Sequence, residues 1–172
     1  FIDMKWNTSS KEFENFLKFE RNLSKNTISS YLADLKKLID YLRLKNINYN
    51  PNQISTDLIR EFLYLQSKKI KSSTQGRLIS SLNLFFDFMI LEKIIVENPL
   101  EKIDYPKIGI SIPTTLTTKE IDSLIAEAGL NKNNGLRNKT IIEVLYSCGL
   151  RVSELIDLKI SDLFLDENLI KV

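Results

Sequence analysis

The stretch Ser24-Lys25-Asn26-Thr27-Ile28-Ser29-Ser30-Tyr31-Leu32-Ala33-Asp34-Leu35-Lys36-Lys37-Leu38-Ile39-Asp40-Tyr41-Leu42-Arg43 sets its apolar side chains at Ile28, Tyr31, Leu32, Leu35, Leu38, Ile39 and Leu42. An i, i+3, i+4, i+7 recurrence is the period of an amphipathic helix, and a strand would alternate instead. Ser24 can cap this helix through its hydroxyl. Ser29, Lys36, Lys37, Asp40 and Arg43 fall on the opposite, polar face.

Working outward, the same period recurs on both sides. Upstream, Phe13, Phe16 and Leu17 predict a first helix opening at Ser9-Ser10 and ending near Arg21-Asn22. Downstream, 46–52 with Pro51 is a loop, and Ser55 or Thr56 starts a third helix that buries Leu58, Ile59, Phe62 and Leu65. Residues 68–73 form a basic, polar turn. A fourth helix from about Ser73 buries Leu78, Ile79, Leu82, Phe85, Phe86 and Met89, and Asn98-Pro99 stops the chain beyond a short segment at 94–96. The aromatics Phe62, Phe85, Phe86 and Phe88 fit the apolar stripes and are predicted to be core. The fold class expected is therefore mainly α, with a four-helix domain over 1–103.

The period breaks over 104–113, which holds Pro106, Gly109 and Pro113 and reads as an extended linker. Thr117 followed by Glu120 is a capping box, and Ile121, Leu124 and Ile125 continue as a helix to Gly129. After a turn at 131–135, Ile141, Ile142, Val144, Leu145 and Tyr146 predict a largely buried helix ending at Gly149, followed by a short helix over 150–158. Leu169-Ile170-Lys171-Val172 reads as a first strand whose partner is missing. A strand must pair its backbone groups, so the expected organisation is a second domain over 114–172, truncated in that strand, in a fragment of a longer protein.

The 172 residues are 43% hydrophobic and 27% charged, the balance of a globular chain. No apolar run approaches the roughly 20 residues that span a bilayer, and Phe1-Ile2-Asp3 opens no secretory signal, so a cytoplasmic protein is expected. With no His and the single Cys148, the chain can build neither a Ser-His-Asp triad nor a Cys/His zinc site. The net charge of +2 hides an asymmetry: residues 18–77 hold 12 basic and 5 acidic residues, whereas 114–172 hold 7 and 9. A basic half suits a polyanion, whose counterions are released on binding, or is a solvated lysine-rich surface.

Two motifs carry a family resemblance. Gly149-Leu150-Arg151-Val152-Ser153-Glu154-Leu155 in the second domain, and Leu23-Ser24-Lys25-Asn26-Thr27 with Tyr31, Asp34 and Leu35 in the first, resemble the tyrosine recombinases, in particular the bacterial Xer group. Glu97-Asn98-Pro99, Pro106-Lys107, Leu116-Thr117 and Gly135-Leu136-Arg137-Asn138 stand in the expected order. The resemblance implies a SAM-like core-binding domain that clamps duplex DNA, followed by the N-terminal part of a mixed α+β catalytic domain. It implies strand cleavage and rejoining through a 3′-phosphotyrosyl link, without a cofactor or metal. Its partners would be a double-stranded recombination site and other recombinase subunits, a tetramer on two sites. Xer-type chromosome dimer resolution is the role expected, with a mobile-element integrase or a non-catalytic DNA-binding module as alternatives.

The first family arginine falls on Arg151. Gly149 lets the chain turn, placing Arg151 in the first turn of the next helix, where an anion is favoured and a guanidinium can bind phosphate bidentately. Alternatively it merely pairs with Glu154, three residues on, as a surface i, i+3 pair. If Arg151 binds phosphate, Glu154 orients it or simply caps the short helix. The family's other catalytic groups would lie beyond Val172, so the chain itself is expected to bind DNA without cutting it. Of the six tyrosines, Tyr31 and Tyr146 are read as core, and Tyr41, Tyr49, Tyr64 and Tyr105 lack the family's nucleophile context. The DNA contacts expected are Lys25, Asn26 and Thr27 at the start of the second helix, and Lys71, Ser73, Thr74, Gln75 and Arg77 at the start of the fourth.

Overall fold

In the computed structural model, which describes residues 2–107, 109, 113–130 and 133–172, the chain divides into two compact units, Phe1–Ile110 and Ser111–Val172. The first unit contains α1 (Ile2–Asn15), α2 (Lys25–Leu44), α3 (Thr56–Ser67) and α4 (Ser72–Leu91). The second contains α5 (Thr118–Gly129), α6 (Gly135–Cys148), α7 (Val152–Asp157) and a two-stranded hairpin of β1 (Leu163–Phe164) and β2 (Leu169–Ile170). Parts of the predicted linker and of the predicted turn at 131–135, namely 108, 110–112 and 131–132, lie outside the described residues; the remainder of 104–113 has no helix or strand.

Local signals set most boundaries in the first unit. Ser24 Oγ accepts the Thr27 N–H at 3.2 Å and Ser55 Oγ accepts the Leu58 N–H at 3.3 Å, so α2 and α3 begin where a hydroxyl replaces the missing intrahelical acceptor. The first helix departs from expectation. It starts at Ile2 rather than at Ser9-Ser10, because Trp6 extends the Phe13 stripe by two further turns and stacks on Phe85, 6.0 Å away. The Trp6 indole N–H donates to the Tyr49 carbonyl at 2.9 Å, which satisfies its polar edge. α1 then widens into a π-helical turn, Phe16–Glu20, that buries Phe16 and Leu17 and leaves Phe19 exposed.

The core of this unit is aromatic. Phe13, Phe62, Phe85 and Phe86 are fully buried, and Phe88 nearly so, as the apolar stripes predict. Phe85 sits at the centre, with ring centroids 5.3 Å from Phe13 and 5.2 Å from Phe86, both edge-on. Beyond α4, the Asn98 side-chain amide donates to Asn83 Oδ1 at 2.7 Å and to Asp87 Oδ1 at 2.6 Å, and its Oδ1 accepts the Leu100 N–H, pinning Leu100 into the core.

The second unit differs from the sequence expectation in two respects. Tyr146 is 52% exposed and Ile141 is at the surface, so α6 is not a buried helix and Tyr146 is not core. α6 packs beside α5, where Gly135 approaches so closely that a Cβ there would lie 2.4 Å from the Gly129 carbonyl oxygen. α7 also touches α6, and the two neighbours still leave Ile141 and Tyr146 at the surface. The second correction concerns the strand. β2 pairs antiparallel with β1, Leu163 opposite Ile170 and Phe164 opposite Leu169, so it is the second strand of a hairpin and has its partner upstream. Asn168, at φ 54°, makes the turn possible. Two-residue strands carry no alternation to read.

Phe85→Ala should destabilise the first unit by about 3–5 kcal/mol, since it removes a fully buried ring from the centre of the cluster. Urea denaturation followed by tryptophan fluorescence reads this directly through Trp6, the one tryptophan of the chain.

Candidate functional site

In the first unit, a buried carboxylate organises the face on which the expected DNA contacts stand. Asp34 of α2 is wholly inaccessible to solvent. Its two oxygens accept four bonds among the described residues: Arg77 Nη1 at 2.5 Å, Arg77 Nη2 at 3.2 Å, Ser81 Oγ at 3.1 Å and Lys37 Nζ at 2.8 Å. Arg77 Nη1 also donates to the Ser30 carbonyl at 3.3 Å. Ser30 and Arg77 are each the sixth residue of their helix. At 1.5 Å per residue, both N-terminal turns thus lie roughly 8 Å from one junction.

The junction brings together the residues read as DNA contacts. Lys25, Asn26, Lys71 and Ser73 are exposed, while Thr27, Thr74 and Gln75 are partly buried. Thr27 Oγ1 lies 2.9 Å from the capping Ser24 hydroxyl. Lys71 is the residue before α4 and caps it with no side-chain bond, so first-turn N–H groups of α4 face outward beside an ammonium group. The Gln75 amide donates to the Leu63 carbonyl at 3.5 Å, and the Arg77 guanidinium is the most heavily engaged within the fold, with three bonds. Asp34 enters the sequence pattern only as a residue of the family motif, with no role attached. The available signal was a carboxylate on the inward face, three residues after Tyr31 and four before Leu38, matched by Ser81 between Leu78 and Phe85 on α4.

In the second unit, Gly149 adopts φ 64°, the left-handed conformation that glycine tolerates, and its N–H closes α6 on the Leu145 carbonyl at 3.0 Å. Arg151 follows as the N-cap of α7, with extended backbone, one position before the first turn in which it was expected. The Arg151 N–H donates to Glu154 Oε2 at 2.7 Å, and its guanidinium Nη1 donates to Glu154 Oε1 at 2.5 Å. Glu154 therefore caps α7 through the Arg151 N–H and also makes the i, i+3 ion pair with its side chain. The Arg151 side chain remains 83% exposed.

Thr117 and Glu120 show the complete form of this box. Glu120 Oε2 accepts the Thr117 N–H at 2.7 Å, and Thr117 Oγ1 accepts the Glu120 N–H at 3.3 Å. An arginine cannot return that second bond, because it has no acceptor. At α7 the threonine hydroxyl is replaced by a cation, so the helix start keeps an uncapped N–H and gains a positive group. The Arg151 N–H, and after it the guanidinium, holds the Glu154 carboxyl below its ordinary 4.5. A depressed carboxyl contributes its bonds fully above 4.5 and loses them as pH falls through the folded value. NMR titration of the Glu154 side chain should thus give a midpoint below 4.5, with the Arg151 amide resonance moving in step; Glu154→Gln should abolish that movement, and a midpoint at or above 4.5 would contradict the geometry.

Among the described residues no helix is long and apolar enough to cross a membrane, and no group of three His, Cys, Asp or Glu is placed to hold a metal. Residues 11–93 match the phage integrase N-terminal SAM-like domain, and residues 114–172 match the phage integrase family. The tyrosine recombinase XerD of Oceanobacillus iheyensis is 40% identical over 156 residues, covering 90% of this chain and 52% of that protein. XerD of Staphylococcus epidermidis is 36% identical over 167 residues, covering 96% and 56%. The crystal structure of XerA recombinase aligns over 97% of this chain and 55% of its own at 28% identity, with a TM-score of 0.47. The chain spans about half the length of the curated relatives it matches. The two matched segments follow one another in a single polypeptide and contain, respectively, the Leu23–Leu35 and Gly149–Leu155 motifs, and on these grounds the chain belongs to the phage integrase family of tyrosine recombinases.

Proposed function

We propose that this chain is the DNA-clamping domain and the first part of the catalytic domain of a site-specific recombinase that cuts and rejoins duplex DNA through a 3′-phosphotyrosyl intermediate. The observation that carries the reading is Arg151. It stands in a segment matched to the phage integrase family, exposed at a helix start and held by Glu154. Attack on a phosphodiester adds charge to the non-bridging oxygens, and a planar guanidinium meets two of them at once. Oriented by Glu154 before the phosphate arrives, Arg151 loses little freedom when it binds. The XerD name of the relatives supports the Xer type. We propose with it the role that the family resemblance implies, chromosome dimer resolution in the cytoplasm by a tetramer on two sites, without a cofactor.

Duplex binding falls to the first unit. Lys25, Asn26 and Thr27 with Lys71, Ser73, Thr74 and Gln75 offer two helix N-termini and two ammonium groups to the phosphate backbone, the contacts that fix register on a duplex. The chain as given holds no histidine and none of its tyrosines has the nucleophile's context. It therefore binds DNA without cleaving it.

In the longer recombinase, Arg151→Ala should lower strand cleavage about 10²–10³-fold while site binding persists, since its contact strengthens as charge develops. A collapse of binding with unchanged cleavage per bound complex would refute the assignment. On a nicked suicide duplex the 172-residue chain should leave no covalent adduct detectable by denaturing gel. Lys25→Ala and Lys71→Ala should each reduce the slope of log K against log salt by about 0.9, the value for one phosphate contact.

A further inference from the structure

We propose that Asp34 is a positioning residue for duplex binding, and that Arg77 is the strut through which it acts and not a phosphate ligand; this rests on reading the α2 and α4 N-termini as the DNA face. A basic residue near the start of a helix, in the most basic part of the chain, would ordinarily be counted as a phosphate contact. The geometry points the other way. Both protons of Arg77 Nη1 are committed, one to the Ser30 carbonyl and one to Asp34 Oδ2, and Nη2 binds Asp34 Oδ1. The side chain is 40% exposed and keeps its Nε proton and its second Nη2 proton at that exposed edge. To present the Nη1/Nη2 fork to a phosphate, however, the guanidinium would leave a carboxylate that has no access to water. Ser81 and Lys37 alone would then have to hold it.

Every bond in this cluster crosses from α4 to α2 or braces one that does. Arg77 and Ser81 are one turn apart on α4, and Ser30 and Asp34 are one turn apart on α2. The four residues make a ladder of matched rungs, and the ladder sets how far apart the Lys25 and Lys71 ends are held. A lysine in place of Arg77 would keep the charge and lose the fork, because an ammonium group cannot bond both carboxylate oxygens and the Ser30 carbonyl in one plane. That difference separates a strut from a ligand.

The test measures binding of the 172-residue chain and its variants to a fluorescein-labelled random-sequence duplex across a salt series, with far-UV circular dichroism and urea midpoints confirming that each variant is folded. Arg77→Lys and Arg77→Met should weaken binding equally, by about tenfold, with the salt slope of the unsubstituted chain retained because no phosphate partner has been deleted. Asp34→Asn should also weaken binding, and the Asp34→Asn/Arg77→Met double variant should be no weaker than Arg77→Met alone, the signature of residues acting as one unit. The proposal is overturned if Arg77→Lys binds normally while Arg77→Met loses a slope of about 0.9, or if Asp34→Asn tightens binding by releasing Arg77 toward the phosphates. Should Asp34→Asn not fold, Arg77→Lys against Arg77→Met decides. Lys25→Ala and Lys71→Ala report separately on the DNA face: if both leave affinity and slope unchanged, that face is misassigned and the positioning role falls with it.

Discussion

The arrangement of the first unit depends on one carboxylate out of reach of water. Withdrawing an ion from solvent costs several kcal/mol, and the cost is offset only when its lone pairs are filled by well-placed donors. Asp34 meets that condition with donors from both sides of the interface, and the requirement is demanding in space: α2 and α4 have to lie in one register for Arg77 and Ser81 to reach it together. The aromatic cluster around Phe85 drives the helices together but is tolerant of small slides, because apolar burial is non-directional and the edge-to-face preference of the rings adds only about 0.5–1.5 kcal/mol per pair. Hydrogen bonds at fixed distance are not tolerant. Apolar burial thus supplies the attraction, and Asp34 selects the register.

What the sequence discloses follows the range of the interaction. The starts of α2, α3 and α5 are set by a hydroxyl and an N–H three residues apart, and all three are legible at Ser24, Ser55 and Thr117. So is the end of α6, because Gly149 alone decides it. The early start of α1 is not, since it depends on Trp6 finding Phe85, far along the chain. Nor is the Asp34–Arg77 bond, which joins positions 43 residues apart. Periodicity identifies a stripe on a helix but not whether another element covers it. Tyr146 and Phe85 both lie on apolar stripes, yet one is exposed and the other fully buried.

The second unit shows what survives when little is covered. The bonds at the starts of α5 and α7 are short-range: Thr117 with Glu120 and Arg151 with Glu154. Each closes within one turn, needing no partner from elsewhere in the fold. The placement of Arg151 on its own backbone therefore follows from the residues between Gly149 and Glu154. For that reason a seven-residue motif suffices to locate Arg151 to within one position of the N-cap it occupies.

The two arginines of interest each bind a carboxylate, so pairing alone does not say which could meet a phosphate. Burial of the partner does. Glu154 keeps 25% of its side chain in contact with solvent and Arg151 keeps 83%; if their bond opens, water takes up both ends at once, and the exchange for a phosphate oxygen costs little. Asp34 keeps none, so opening its bond to Arg77 strands an anion where no water can reach it. The same guanidinium chemistry is thereby divided between two tasks. On the reading proposed above, a partly exposed acid leaves an arginine available to a phosphate, whereas a buried acid makes an arginine part of the frame.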